Sequence, residues 1–402
     1  MFEKYTKAFL THLRNIQGGR LQIVFPDQRT EEFGDLARFP TEQAIFLYIH
    51  DWNIFKKILK RGDIGFAESY IDGSWSTNNL EGILRLALAN RKLLESLIYG
   101  SFLGSLIYKL RHVFHRNTRS GSKKNIHSHY DLGNPFYQLW LDPRMMYSSG
   151  LFNGDYSQPL EQAQIAKLER ILNQLQCAPN ETILEIGCGW GGFMDMAMKR
   201  GLNVTGLTLS HEQKKFIDEK FLAADVHDNP AALAKAVILD YRDCQEQYDG
   251  IVSIEMFEAV GETYWPDYFE TVSRCLKPGK RAIIQTIVIQ DTLFEKYRKE
   301  TDFIQQYVFP GGMLPSPRVF EQHASNAGLQ LIDQYSFGKD YAQTLRVWRD
   351  TFNCKLSEIH ELGFKEKFIR LWNFYLMYCA AGFAENSIDV IQFTLEKPHE
   401  AA

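Results

Sequence analysis

The stretch from residue 183 to residue 213 constrains the fold more than any other part of the chain. It opens with the apolar run ILEIG, which is typical of a buried parallel strand, and four glycines lie within the six residues 187–192. Glycines at this place allow a tight turn and the close approach of a ligand. FMDMAMKR then returns to helical spacing, Gly201 ends that helix, and NVTGLTLS predicts a second strand. The stretch predicts a βαβ unit with a ligand-binding loop at the carboxyl end of its first strand.

The loop favours a nucleoside ligand that is not bound through a pyrophosphate. Bulky Trp190 lies inside the loop, and no Lys-Ser/Thr of a P-loop follows. A dinucleotide site would also place Asp or Glu at the end of the second strand, where this chain has Thr208 and Ser210. The E-x-G-x-G spacing is typical of S-adenosylmethionine (SAM) methyltransferases. A purely structural strand-to-helix turn is the alternative.

Length and composition narrow the class of protein. A chain of 402 residues with 45% hydrophobic and 23% charged side chains predicts a globular protein of two or three domains. The net charge of -4 argues against a general nucleic-acid binder. The six cysteines show no zinc-site spacing, so we expect no metal and a reduced, cytoplasmic protein. The first ten residues do not resemble a signal peptide, and no segment has the ~20 apolar residues of a spanning helix.

The order of elements predicts three parts. Residues 1–90 predict a small α+β domain, with a helix over 1–17 and a polar, turn-rich stretch over 66–80. Residues 91–126 form an apolar and then basic segment, and 127–402 alternate strands with helices. The third part predicts an α/β, doubly wound, mostly parallel Rossmann-like methyltransferase sheet with added helices.

The segment 91–126 suggests contact with lipid. From residue 109 to residue 124 it has six basic and no acidic side chains: Lys109, Arg111, Arg116, Arg119, Lys123 and Lys124. An apolar helix joined to a basic tail suits anionic headgroups, so we expect peripheral association with the inner membrane face. A packed helix followed by a solvated linker is the alternative. The oligomeric state is open, and a homodimer is one option.

Seven motifs in order carry a family resemblance. They are HYDLGNPFYQLWLDPRMMYSSGLF (129–152), ILEIGCGWGGF (183–193), LTLSHEQ (207–213), DYRD (240–243), SIEMFEAVG (253–261), DFIQQYVFPGGMLPS (302–316) and DYAQTL (340–345). Together they resemble cyclopropane-fatty-acyl-phospholipid synthases and their mycolic-acid relatives, over roughly 127–394. The resemblance implies that SAM donates a methyl group to the cis double bond of a phospholipid acyl chain. The carbocation then loses a proton and closes a ring.

The resemblance also implies a set of residues around SAM. Its members are Tyr130, Tyr147 and Ser148 against the cofactor, Gly187, Cys188 and Gly189 along its methionine part, Thr208 and Gln213 at the ribose, and Tyr241 and Arg242 at the adenine. Ordinary aromatic packing is the alternative role for the two tyrosines of the first motif. The tunnel for the acyl chain would be lined by aromatic side chains of 303–309 and of 348–383.

In the family a bound bicarbonate accepts the proton, held by Glu, Tyr, His and Cys side chains and by backbone. Glu258 and Tyr341 match the first two, and Ile287 would supply the backbone contact. The family's Cys is replaced by Ser149 and its His by Gln285. Both side chains donate hydrogen bonds, but neither offers a titrating imidazole. The bicarbonate site is therefore kept in altered form, or the cation loses a different proton.

Glu255 precedes Glu258 by three residues. If a strand ends there, both carboxylates approach the site and one of their pKa values rises.

The sequence predicts cyclopropane formation on phospholipid acyl chains. A methyl-branched or methylene product, a soluble small-molecule acceptor, and a lipid-binding protein without catalysis remain alternatives. NMR of the acyl product separates a cyclopropane from a methyl-branched or methylene product. Liposome binding and turnover separate the soluble acceptor and the lipid-binding protein from these.

Overall fold

The computed structural model describes residues 2–40, 43–98, 132–223 and 233–399. These residues divide into two compact units. The first contains the described residues up to 98 together with Lys299–Val308 and Leu356–Ser387. The second contains the remaining described residues from 132 onward. The first unit is therefore discontinuous in sequence, because it includes two segments from the C-terminal half of the chain. The predicted division at residues 90 and 126 treats every domain as continuous. The sequence-based boundaries themselves stay a prediction.

Eleven strands and fifteen α-helices are found in the described part of the chain. The strands are β1 Arg20–Val24, β2 Thr30–Gly34, β3 Ile45–Ile49, β4 Trp75–Thr77, β5 Thr182–Ile186, β6 Asn203–Thr208, β7 Ala234–Ile238, β8 Tyr248–Ile254, β9 Leu276–Ile289, β10 Gln330–Ser336 and β11 Ile388–Glu396. The helices are α1 Phe2–Leu13, α2 Asn53–Ile71, α3 Leu80–Ala89, α4 Arg91–Ile98, α5 Asn134–Gln138, α6 Leu160–Leu175, α7 Gly192–Lys199, α8 His211–Ala223, α9 Trp265–Cys275, α10 Asp291–Tyr297, α11 Phe303–Tyr307, α12 Pro317–Asn326, α13 Gly338–Cys354, α14 Leu356–Glu361 and α15 Glu366–Ala384.

The first unit is an α+β structure. Its sheet has the order β2-β1-β3-β4, in which only β1 and β3 run parallel. Helix α15 packs against α2 and α3, and the fully buried Trp75 stacks on Phe66 with 4.2 Å between ring centroids. Arg370 on α15 donates hydrogen bonds to the carbonyls of Tyr70 and Trp75. These contacts explain why a late helix joins the N-terminal unit.

The second unit is built on a seven-stranded sheet of order β10-β11-β9-β8-β5-β6-β7. The strands from β9 to β7 in this order pair in parallel, and β11 is antiparallel to both of its neighbours. Every residue of β8 is buried, as expected for a strand covered on both faces. The predicted doubly wound, mostly parallel α/β fold is confirmed. It brings the carboxyl ends of β5, β6 and β8 to one edge, where such sheets bind ligands.

Three local predictions differ from the structure. Helix α1 ends at Leu13 rather than at residue 17, and the strand β2 was not predicted. The stretch 66–80 is not uniformly turn-rich, because α2 continues to Ile71 and β4 follows. Burial of apolar residues on α2 outweighs the polar composition there. No helix within the described ranges is both long and apolar enough to cross a membrane.

Candidate active site

The glycine loop follows β5 directly and has the backbone geometry of a ligand-binding turn. Gly187 and Gly189 have φ values of 84° and 51°, in the left-handed region that favours glycine. A Cβ atom on Gly187 would lie 2.8 Å from the side chain of Met256, so the loop packs closely against the segment after β8. A Cβ on Gly189 would meet nothing within 4 Å. The loop is therefore open on one side and supported by β8 on the other.

Glu185, the acid of the E-x-G-x-G motif, points into the same region. Its side chain is 3% exposed, and its Oε2 has no hydrogen-bond partner among the described residues. Burial raises the pKa of Glu185 to about 8, and the charge of Lys167 opposes that shift. A buried carboxylate oxygen without a partner is costly unless a ligand group pairs with it. The sequence prediction did not include this residue, although the motif contains it.

The residues predicted at the ribose and the adenine lie at the ends of the next two strands. Thr208 ends β6, and its hydroxyl lies 2.8 Å from Oε1 of Gln213. Tyr241 and Arg242 form a short 3-10 turn after β7, where Arg242 pairs with Asp240. Burial raises the pKa of the Tyr241 phenol. The edge of the sheet that carries the glycine loop thus also carries these side chains.

The residues predicted around the cofactor from the first motif lie in an aromatic cluster. The ring of Tyr147 contacts Tyr137, Trp140 and Trp348, with centroids 5.4 to 5.6 Å apart. Ser148 is buried, and its Oγ is 2.6 Å from Lys167. Tyr130, by contrast, lies outside the described residues, as do the basic side chains of 109–124. The Tyr147 ring thus packs among other aromatic side chains.

Glu255 is the centre of the predicted proton-acceptor site. Its Oε1 accepts hydrogen bonds from the backbone N–H of Ser149 at 2.9 Å and from Nε2 of Gln285 at 2.7 Å. Its Oε2 accepts a hydrogen bond from the Tyr341 hydroxyl. Ser149 donates to Glu255 through its backbone N–H, and its Oγ donates to the Gly150 carbonyl. The expected contact of that hydroxyl with an anion stays a prediction. Ser149, Gln285 and Tyr341 thus all donate hydrogen bonds to Glu255, a residue to which the resemblance gave no role.

The Gln285 amide is fixed in the orientation that serves Glu255. Gln285 is fully buried on β9, and its Oε1 accepts a hydrogen bond from Nε2 of Gln392 at 3.0 Å. Gln392 on β11 in turn accepts from Arg170 at 2.8 Å. Since Arg170 can only donate, the chain of hydrogen bonds has one direction and ends with the Gln285 NH₂ on Glu255. The sequence prediction did not include Gln392, which is one of several polar residues on β11.

Glu258 occupies a separate position beside this centre. It lies in the 3-10 turn Phe257–Ala259, and its Oε1 accepts from the backbone N–H of Ile287 at 2.5 Å. Its Oε2 is buried and has no hydrogen-bond partner among the described residues. Burial and the charge of Glu255 raise the pKa of Glu258 to about 8. The two carboxyl groups thus differ in their hydrogen bonding, since Glu255 accepts from three donors and Glu258 from one.

Lys167 supplies the buried positive charge of the site. It is fully buried on α6, and its Nζ donates to Ser148 and to Gln164, each at 2.6 Å. Burial lowers the pKa of Lys167 to about 8, and the charge of Glu255 opposes that shift. Burial also raises the pKa of Glu255, whereas the Tyr341 hydroxyl and the Lys167 charge lower it. Helical spacing places Lys167 on the apolar face of α6, a signal that the sequence prediction did not use.

Comparisons with known proteins match this architecture. The family described as mycolic acid cyclopropane synthetase matches residues 117–393. The chain belongs to this family. The cyclopropane synthetase family consists of SAM-dependent methyltransferases, so the predicted family and enzyme class are confirmed. Its members modify lipids, as the names of the relatives indicate.

Three relatives represent the range of similarity. Tuberculostearic acid methyltransferase UfaA1 of Mycobacterium tuberculosis is 33% identical, over 93% of this chain and 87% of that protein. Cyclopropane-fatty-acyl-phospholipid synthase of Escherichia coli is 34% identical, over 86% of each chain. The crystal structure of mycolic acid cyclopropane synthase CmaA1 with SAH and CTAB has a TM-score of 0.63 and 32% identity, and the match covers 68% of this chain and 98% of that one. The first two likenesses include the N-terminal part as well as the methyltransferase unit.

Proposed function

We propose that this chain binds SAM and transfers its methyl group to the cis double bond of an unsaturated phospholipid acyl chain, which then closes to a cyclopropane. The observation that carries the proposal is the buried carboxylate Glu255, held by three hydrogen-bond donors directly after β8. It stands beside the glycine loop, because Gly187 packs on Met256, the next residue. A methyl donor at the loop would thus lie close to a group able to accept a proton.

The residues present fit SAM. The ligand carries an ammonium and a sulfonium, and Oε2 of the buried Glu185, which has no partner among the described residues, offers a hydrogen-bond acceptor for the ammonium. The left-handed glycines leave backbone accessible, and the Thr208 and Gln213 side chains offer hydrogen bonds without a fixed charge. When bound, SAM supplies an electrophilic methyl group. The chain itself orients it, excludes water with the aromatic cluster around Tyr147, and removes a proton.

Incubation with SAM and vesicles of unsaturated phospholipid, followed by NMR of the acyl chains, tests the product. A cyclopropane resists mild hydrogenation and has ring-proton resonances. A product that keeps a methyl or methylene group is the second candidate, since a relative of similar identity is named a tuberculostearic acid methyltransferase rather than a cyclopropane synthase. Recovery of only hydrogenatable or methyl-bearing chains would exclude cyclopropane formation. Transfer to a soluble acceptor with no lipid product would exclude both candidates.

The substrate requires contact with a membrane surface, and we assign that contact to the basic segment. Lys109, Arg111, Arg116 and Arg119 carry positive charge without nearby acidic residues in sequence. Each basic residue near an anionic surface contributes about 1 kcal/mol, which salt screens. Neutralising all four should weaken sedimentation with anionic liposomes at low salt, whereas neutralising four exposed lysines elsewhere should not. Equal binding by both variants would remove the segment from the membrane contact.

A further inference from the structure

The residues that the resemblance assigns to a bicarbonate ion converge on a side chain of this chain. Ser149, Gln285 and Tyr341 all donate to the Glu255 carboxylate. A carboxylate and a bicarbonate present the same planar pair of oxygens to hydrogen-bond donors, so one can take the place of the other. The inference drawn from this coincidence rests on the proposed function, because it concerns the proton that the methylated chain loses.

The site does not fit a bicarbonate in addition to Glu255. Both oxygens of Glu255 already use the donors that would hold the ion. A second anion would also lie next to the Glu255 carboxylate, and like charges in a buried site repel strongly. Lys167 is the buried cation of the described site, and it is bonded to Ser148 and Gln164. Its charge already acts on Glu255, whose pKa it lowers.

We propose that the Glu255 carboxylate is the proton acceptor of the reaction, in place of an external bicarbonate. The methyl carbon leaves the sulfonium, whose sulfur keeps the electron pair, and it bonds to one alkene carbon through the π electrons. The other alkene carbon becomes cationic. A C–H bond of the new methyl group breaks, its electron pair closes the ring on the cation, and its proton moves to an oxygen of Glu255. Glu255 becomes a neutral acid, S-adenosylhomocysteine is the second product, and the proton passes to solvent before the next turnover.

The backbone at Glu255 supports a dedicated role. Its φ of 51° lies in the left-handed region, which costs a residue with a Cβ about 1–3 kcal/mol. This conformation follows the last residue of β8, and the Glu255 N–H donates to the Gln285 carbonyl at 2.8 Å. The turn therefore directs the side chain toward the donors instead of continuing the strand. Burial that raises the pKa of Glu255 also makes it a stronger base than an exposed carboxylate.

Two substitutions at one position test the proposal. Glu255→Gln keeps the shape but removes the base, and should lower kcat by about 10²–10⁴-fold, the usual contribution of a positioned acid or base. Glu255→Gly suits the left-handed backbone and releases the three donors for a small anion. We expect wild-type turnover to be the same in carbon-dioxide-free buffer and with added bicarbonate. Glu255→Gly should be nearly inactive without bicarbonate and recover at least about tenfold with it, while Glu255→Gln should not recover.

Calorimetric titration with SAM and thermal unfolding establish that both variants are folded and bind the cofactor. A wild-type enzyme that loses turnover when bicarbonate is removed would overturn the inference and leave the proposed function intact. Full turnover by Glu255→Gln would do the same. A wild-type enzyme that makes no methylated lipid under any of these conditions would instead overturn the proposed function, and the inference with it.

Discussion

Replacement of Tyr341 by Phe isolates the contribution of one hydrogen bond to the base. Its hydroxyl donates to Oε2 of Glu255, and its ring packs edge-on against Trp348 with 6.2 Å between centroids. Phe keeps the ring contact and removes only the donor. A hydrogen bond to a charged group contributes about 1.5–3 kcal/mol, and 1.36 kcal/mol corresponds to one pKa unit. Loss of the bond should therefore raise the pKa of Glu255 by about 1 to 2 units.

The sign of the effect on the rate follows from the form that reacts. The base must be ionised, so turnover rises with pH through the pKa of Glu255, which burial has already raised. Tyr341→Phe should move this rise to higher pH, and at a pH below it the rate should fall by about 10- to 100-fold. Glu258 and Lys167 also face the site and titrate near pH 8, so the apparent pKa belongs to the group of residues.

The assay is kcat/KM measured from mildly acidic to mildly alkaline pH, with S-adenosylhomocysteine formation as the signal. Tyr335→Phe is the matched control, since it removes a phenol hydroxyl on β10 but keeps the ring over Arg170. Its pH profile should equal that of the wild type. A Tyr341→Phe profile that is lowered equally at every pH, without a shift, would contradict a role through the pKa of Glu255. It would instead indicate that the hydroxyl acts on substrate packing.

Three further perturbations test the site from other directions. Gln392→Glu keeps an acceptor for Arg170 but offers no donor to Gln285, so the Gln285 amide can reverse. We expect kcat to fall by about 10-fold or more with SAM affinity unchanged. A change confined to SAM affinity would refute the role of the hydrogen-bond chain from Arg170 through Gln392 to Gln285. Because the pKa of the Glu258 carboxyl is raised from 4.5 to about 8, the free energy of unfolding should fall by about 1.4 kcal/mol per pH unit as pH rises between those values. Glu258→Gln should remove this fall. Urea unfolding in which wild type and variant lose stability with pH in parallel would contradict it. Gly187→Ala should weaken SAM binding in calorimetry more than about tenfold, whereas Gly154→Ala, with similar φ and open space around it, should leave binding unchanged.

The sequence predicted the parts of the fold that depend on local patterning. The βαβ unit at 183–213 and the mostly parallel sheet follow from strand and helix periodicities and from glycine positions. Assignment of α15 to the first unit could not be predicted, because it depends on contacts between segments some 300 positions apart, such as Arg370 with Tyr70. Periodicity identifies a buried helix face but does not say what covers it.

In the candidate site too, the sequence predicted which residues take part but not how they contact one another. The resemblance identified Ser149, Gln285 and Tyr341 as a group, and the structure brings them together. It could not show that they surround Glu255, since that depends on a single backbone conformation after β8. The contribution of Ser149 through its N–H rather than its hydroxyl was equally inaccessible, because every residue type offers that donor.

A base in a carbocation reaction must accept a proton without forming a bond to the cation, and the hydrogen bonds to Glu255 serve both needs. An ionised carboxylate near a developing cation stabilises it, and can also attack it as a nucleophile and form an ester. Tyr341, Gln285 and Ser149 occupy lone pairs of both oxygens, which lowers nucleophilicity and fixes the direction in which the carboxylate accepts. The Gln392 relay and the left-handed backbone hold that arrangement before the lipid binds. A bicarbonate would have to be captured and oriented at each turnover, whereas a side chain is already in place; the substitution therefore exchanges a recruited base for a preorganised one.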